Sequence, residues 1–164
     1  MIPPPDGCYP GFTTAEGCDA LKFLGSGVGN TGVGWCSLYS VGDENYNTGV
    51  GAGTLVLNTG DSNTAVGAVA LLLNTTGEDN RAVGTEALQF NTDGSPNTAV
   101  GYAALNNNLI AGGNTAAGND ALCLMTRPLP ASHVDGTTTP SAPVLSLVTL
   151  RDTATTLLAT TRFS

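Results

Sequence analysis

The chain is poor in charge and nearly bare of cations. Only 11% of its 164 residues are charged, against about 25% in an ordinary globular domain. Five cations, Lys22, Arg81, Arg127, Arg151 and Arg162, stand against 13 acids, for a formal net charge of −8. No basic patch can be assembled from so few, so binding to nucleic-acid phosphates is excluded. Attraction to an anionic lipid surface fails for the same reason. Histidine occurs once, at His133, and none of the four cysteines, Cys8, Cys18, Cys36 and Cys123, has CxxC spacing. No zinc site or other metal centre is expected from that set. The even number permits two disulfides in an extracellular protein; their pairing stays open, and free buried thiols are an equal reading. No stretch approaches the ~20 apolar residues of a membrane helix, so no membrane insertion is expected. The opening Met-Ile-Pro-Pro-Pro lacks the basic region and apolar core of a signal peptide.

What is present is small and repetitive. Glycine occurs 22 times, and the mean hydropathy is +0.09. Disordered chains combine low hydropathy with high charge, which is not the case here. Asn recurs at Asn30, Asn47, Asn63, Asn80, Asn97 and Asn114, at intervals of 17, 16, 17, 17 and 17. One step before Asn30, Thr13 opens a further copy in the same frame. The consensus over the seven copies is N-T-A-V-G-x-x-A-L-x-x-N-T-x-G-x-x. Position 5 is always glycine: Gly17, Gly34, Gly51, Gly67, Gly84, Gly101 and Gly118. Position 9 is always leucine: Leu21, Leu38, Leu55, Leu71, Leu88, Leu105 and Leu122. Position 4 is valine in five copies, with Glu16 and Ala117 at the ends.

A unit of 17 residues is too short for a helical hairpin, since helix-pair solenoids need more than about 30 residues per unit. It suits one coil of a parallel β-roll or β-solenoid. The expected coil has a first strand N-T-A-V, a bend at the position-5 glycine, a second strand A-L-x-x, and a closing N-T-x-G turn. Stacked at ~4.8 Å per coil, identical residues form columns, and the Asn column can make an amide ladder. The core per coil is read as one Val, one Leu and two Ala. So thin a core needs partners, which points to self-association. The expected architecture is all-β. It divides into a Pro/Gly-rich lead-in over residues 1–12, a repeat domain over 13–127, and a Pro/Thr-rich strand or cap over 128–164. Proline keeps the lead-in outside the ladder, and Val144 to Thr149 read as an extended strand.

The tandem N-T-A-V-G-x-x-A-L motif resembles the head repeats of trimeric autotransporter adhesins, the YadA-like heads. The resemblance spans residues 13 to about 127. It implies left-handed parallel β-rolls wound as a homotrimer. The repeat here is longer in its N-T-x-G turn, and neither a coiled-coil stalk nor an anchor barrel follows, so self-export does not carry over. The expected role is an extracellular or cell-surface adhesin-like or fibre-forming protein, non-catalytic, acting through self-association. Host, matrix or glycan ligands are its possible partners. A filament or phage tail-fibre subunit polymerising end to end is the alternative, and a β-solenoid polysaccharide-degrading enzyme a minor one. The absent leader then reads as a mature or fragmentary form of an exported chain.

Other signals are weaker. Gly27 to Gly32 satisfy GxGxxG, but they straddle a repeat junction without a following helix, so no dinucleotide cofactor is expected. Ser132, His133 and Asp135 are neighbours in sequence, which makes no catalytic triad, and His133 reads as solvated in a Pro-flanked loop. Asp43, Glu44, Asp61, Glu78, Asp79 and Asp93 lie in turns; solvated charge is favoured over loosely bound calcium. Asn74-Thr75-Thr76 is a glycosylation sequon that also fits the repeat. A position-2 Thr column suggests an ice-binding face, but Arg81 interrupts it.

Overall fold

The computed structural model describes residues 7–9, 11–124, 132–135 and 149–150, with side chains described for 11–124. The first half of every repeat folds as a short strand. These are β2 (Thr13–Glu16), β3 (Thr31–Val33), β4 (Thr48–Val50), β5 (Thr64–Val66), β6 (Arg81–Val83), β7 (Asn97–Val100) and β8 (Asn114–Ala117). They pair in parallel, each with the next, and equivalent positions face each other: Ala82 opposes Ala99 and Val83 opposes Val100. The described chain is thus an all-β parallel solenoid, one repeat per coil.

Both ends of the ladder are extended. β1 (Gly7–Tyr9) pairs antiparallel with β2. At the far end β9 (Ser132–Asp135) adds in parallel to β8, and β10 (Thr149–Leu150) turns antiparallel onto β9. Two expectations are corrected. The lead-in was expected outside the ladder, yet its Gly-Cys-Tyr stretch pairs, because the ladder needs only that short proline-free run to donate and accept. His133 was expected in a loop, and its backbone lies in β9 opposite Thr115. Of the strand expected over Val144 to Thr149, only Thr149 falls within the described residues, in β10.

Strand geometry sorts the repeat positions by face. Alternate residues point to opposite sides, so positions 1 and 3 face inward and positions 2 and 4 outward. Ala65, Ala82 and Ala99 at position 3 are fully buried. Val50, Val66, Val83 and Val100 at position 4 are 38%, 37%, 42% and 45% exposed. The Val column therefore lies outside the core, correcting the expected composition. Adjacent residues of one strand cannot both face in, and Ala wins the interior because the coil is narrow there.

The A-L-x-x run was expected to be a strand. It is instead a series of tight turns. Position 9 has positive φ in every copy, from Leu21 at 49° to Leu38 at 54°, and position 7 does too, as at Val69 (53°) and Glu86 (62°). Hydrogen bonds such as Ala87 N to Gly84 O (3.3 Å) and Gln89 N to Glu86 O (3.3 Å) close successive turns. A left-handed leucine costs about 1–2 kcal/mol. Full burial of its side chain returns about 1.5–3 kcal/mol, and the conformation delivers that side chain to the centre. Leu38, Leu55, Leu71, Leu88 and Leu105 are 0% exposed. The turns still hold the stack, since Leu71 N donates to Ala87 O (3.0 Å) and Leu73 N to Gln89 O (3.0 Å) of the next coil.

Glycine at position 5 is required twice over. Gly67 sits at φ +123°, and a Cβ there would lie 2.6 Å from the carbonyl carbon of Gly84 in the next coil. Positions 3 and 8 trade volume. Four of the later coils have Ala at both, whereas Gly32 and Gly49 accompany Ser37 and Thr54. Ser37 and Thr54 hydroxyls meet at 2.7 Å, and a Cβ on Gly49 would lie 2.5 Å from Ser37 Oγ and 2.7 Å from Thr54 Oγ1. Overpacking a filled site costs about 1–3 kcal/mol. Gly49→Ala alone is expected to lower stability by that amount in urea denaturation. Adding Ser37→Ala and Thr54→Ala, which restores the Ala/Ala pairing, is expected to recover most of the loss.

Candidate self-association surface

The interior is polar as well as apolar. The position-1 asparagines Asn30, Asn47, Asn63, Asn80, Asn97 and Asn114 are buried, and so are Asn58, Asn74, Asn91 and Asn108 at position 12. The two columns form parallel amide ladders. In the first, Asn80 Nδ2 donates to Asn63 Oδ1 (3.2 Å), Asn97 Nδ2 to Asn80 Oδ1 (3.1 Å), and Asn114 Nδ2 to Asn97 Oδ1 (3.0 Å). In the second, shorter bonds run from Asn74 to Asn58 (2.6 Å), Asn91 to Asn74 (2.7 Å) and Asn108 to Asn91 (2.7 Å). Sequence reasoning named the first column as a ladder. The second was visible as the consensus Asn at position 12 but was assigned to the closing turn.

In the three coils that begin at Asn63, Asn80 and Asn97, the ladders meet at one carbonyl. Gly94 O accepts from Asn80 Nδ2 (2.9 Å) and Asn91 Nδ2 (3.0 Å). Gly77 O does the same for Asn63 (2.8 Å) and Asn74 (2.7 Å), and Ala111 O for Asn97 and Asn108 (both 2.9 Å). Each closing carbonyl thus uses both lone pairs and ties the start, middle and end of its coil together. Glycine serves here because a Cβ at Gly77 would lie 2.8 Å from both Asn91 Nδ2 and Gly94 O.

The third coil breaks the pattern. Its turn, Asn58-Thr59-Gly60, is one residue shorter than Asn74-Thr75-Thr76-Gly77, which explains the 16-residue interval. Asn58 Nδ2 still reaches Gly60 O (2.6 Å), but Asn47 Nδ2 is buried without a partner. An unsatisfied buried donor costs about 1–3 kcal/mol. Inserting one threonine between Thr59 and Gly60 is expected to stabilise the chain by that amount, read as a raised urea midpoint. Asn108 Oδ1, also unpartnered, ends the second ladder, because position 12 of the next repeat is Met125.

The acidic turn residues act locally. Asp43 Oδ1 accepts from the Ser26 amide (3.0 Å) and hydroxyl (2.8 Å), Asp61 Oδ1 from the Asn45 amide (2.7 Å), and Asp93 Oδ1 from the Thr76 hydroxyl (2.8 Å). The two Ser26 bonds favour the ionised form and hold the Asp43 carboxyl below its usual range. A depressed folded pKa gives support that is present at neutral pH and lost as pH falls through it. The Ser26 amide is therefore expected to be protected from hydrogen exchange at neutral pH. It should lose that protection on acidification to below Asp43's lowered pKa, but not in the range where unbonded carboxylates titrate.

The remaining sequence signals resolve into structure. In the GxGxxG segment Gly27 N donates to Gly42 O (3.0 Å) of the next coil, so that glycine serves stacking. Asn74 of the sequon is fully buried in the second ladder, out of reach of a glycosyl transfer to the folded chain. Cys18 is exposed, Cys36 buried and Cys123 half-buried, all as free thiols. Burial raises the pKa of Cys36 and of Cys123.

Outward, two apolar stripes run along the rod. The first is the strand face, with half-exposed Thr48, Thr64 and Thr98 at position 2 and the exposed valines at position 4. The second is formed by positions 10 and 11, with Phe23, Tyr39, Val56, Leu57, Leu72, Leu73 and Phe90 all at least partly exposed, and Lys22, Ser40, Gln89, Asn106 and Asn107 interrupt it. Phe23 and Tyr39 pack edge to face at 5.1 Å. Among the described residues, carboxylates occupy positions 7 and 14–17 and the two ends of the first stripe, Glu16 at one and Asp135, opposite Ala117 in β9, at the other; the second stripe carries none. No protein-family model, no curated protein and no solved structure matches the chain.

Proposed function

We propose that this is an extracellular, non-catalytic structural protein of the adhesin-head or fibre kind, working as a self-associated rod and as a homotrimer. The observation that carries the reading is the pair of apolar stripes on separate faces. A two-fold dimer uses one patch twice, whereas a closed ring of three needs two different patches per chain. Contiguous exposed apolar surface of this kind marks an interface. Freedom from carboxylates inside the stripes matters for a chain of net charge −8, because association must not bring its acids together. The likeness of the N-T-A-V-G-x-x-A-L motif to YadA-like head repeats supports the same assembly. Host, matrix or glycan ligands would then meet the variable positions left outside the stripes.

End-to-end polymerisation is the second reading. The antiparallel strands at both ends of the ladder favour the closed particle over it, since a parallel stack cannot continue through a reversed strand in the same register. Light scattering behind a sizing column tests the proposal. A discrete mass three times that of the 16.4 kDa chain is the expected result. Polymers of indefinite length would favour the filament, and a monomer at all concentrations would refute self-association.

A further inference from the structure

The first coil is held to the rod by fewer side-chain bonds than the rest. Thr13 stands at position 1 and Leu24 at position 12, so neither amide ladder reaches it. Asn30 N is left with Thr13 Oγ1 at 3.4 Å, where Asn47 N, one coil on, has Asn30 Oδ1 at 2.9 Å. The same junction carries two cysteines. Cys18 occupies position 6 of the first coil, exposed, and Cys36 position 7 of the second, buried. Cys36 N donates to Cys18 O at 2.9 Å, so the two peptide planes stack. With ~4.8 Å between coils and ~3.8 Å between successive α-carbons, the two Cα atoms lie about 6 Å apart. Disulfides bridge α-carbons separated by about 4.4–6.8 Å. Side chains at positions 6 and 7 of adjacent coils share one side of the stack, since the Tyr102 hydroxyl at position 6 hydrogen-bonds Glu86 at position 7 of the coil before it. Burial first, then the charges of Asp19 and Cys18, push the Cys36 thiol up, against the Lys22 ammonium. The two sulfurs therefore lie within reach of each other's field. The other thiols are too far from Cys36. Cys8 is in β1, two ladder steps or ~10 Å from the coil of β3, and Cys123 is five coils or ~24 Å away.

We infer that Cys18 and Cys36 are the site of an intrachain disulfide that staples the first coil to the second, formed by exchange with a small disulfide oxidant of the glutathione class. Exposed Cys18 attacks one sulfur of the oxidant as its thiolate, gives a mixed disulfide and releases one small thiol. Cys36 then attacks the Cys18 sulfur, the second small thiol leaves, and the bond between the cysteines closes. Two protein thiols are oxidised and one disulfide is reduced to two thiols, which take up the two protons that the cysteines lose. The bond sits where the amide ladders are missing and replaces them with a covalent tie. It persists in oxidising surroundings such as the extracellular setting proposed above, and its formation does not require self-association.

The test oxidises the folded, reduced chain with oxidised glutathione, blocks the remaining thiols under denaturing conditions, and maps the bonds by mass spectrometry. Cleavage after Phe12, Lys22 and Arg81 separates all four cysteines. Cys18–Cys36 is the expected dominant bond, with Cys8 and Cys123 blocked. Oxidation in concentrated urea should instead favour Cys8–Cys18, because the shorter loop closes more readily. Hydrogen exchange then reads the staple. Leu21 and Phe23 amides, which donate across the junction to Ser37 O (3.0 Å) and Tyr39 O (3.3 Å), should exchange about tenfold more slowly in the oxidised chain than in Cys18→Ser. The Leu88 amide, four coils on, should be unchanged. A dominant Cys8–Cys18 bond from the folded chain, bonds between chains, mixed disulfides that stop at Cys18, or a Cys18–Cys36 bond that leaves Leu21 and Phe23 exchange unaltered would each overturn the inference.

Discussion

Everything in this molecule depends on stacking identical coils at one fixed spacing, and buried asparagine amides hold that spacing. A side-chain amide has both a donor and an acceptor, so a column of them is self-satisfying only at the pitch of a parallel ladder. Two such columns, joined at Gly77, Gly94 and Ala111, lock the coils that begin at Asn63, Asn80 and Asn97 shut and to one another. The low dielectric of the interior strengthens these bonds and makes their loss costly. With so few large apolar groups per coil, the amides give the core a specificity that Leu and Ala alone would lack.

The price of that geometry appears at the corners. Glycines at position 5 and leucines at positions of positive φ accept backbone conformations that would be unfavourable singly. They persist because each corner repeats on top of itself, with a carbonyl of the neighbouring coil where a Cβ would go. The leucine column shows how burial overrides local preference, since no scale of strand or turn propensity would place leucine there.

This division explains what was legible beforehand. The invariant Gly and Leu columns and the Asn column that only Thr13 interrupts pointed to the coil length, the parallel stacking and an amide ladder, because a 17-residue period with fixed columns has few physical solutions. The A-L-x-x turns were read as strand because apolar pattern carries no information about the sign of φ. Val83 and its equivalents were read as core because hydropathy was counted without the alternation of the strand. Asn91 and its equivalents were taken for turn residues because Asn serves turns and ladders equally well. The two outer stripes depend on which positions face out, which the one-dimensional pattern left undetermined until those errors were removed.

The account joins one constraint to one use. Amide ladders hold the coils in register; coils in register line up exposed apolar side chains as stripes; and stripes that carry carboxylates only at their ends suit assembly of an acidic chain. The most direct measurement of its central claim is hydrogen exchange of the asparagine side-chain amides, followed by NMR. The Nδ2 protons of Asn63, Asn74, Asn80, Asn91 and Asn97 should exchange on the slow timescale of global unfolding. Exchange as fast as that of free amides would contradict the ladders, and with them the stacked core on which the rest is built.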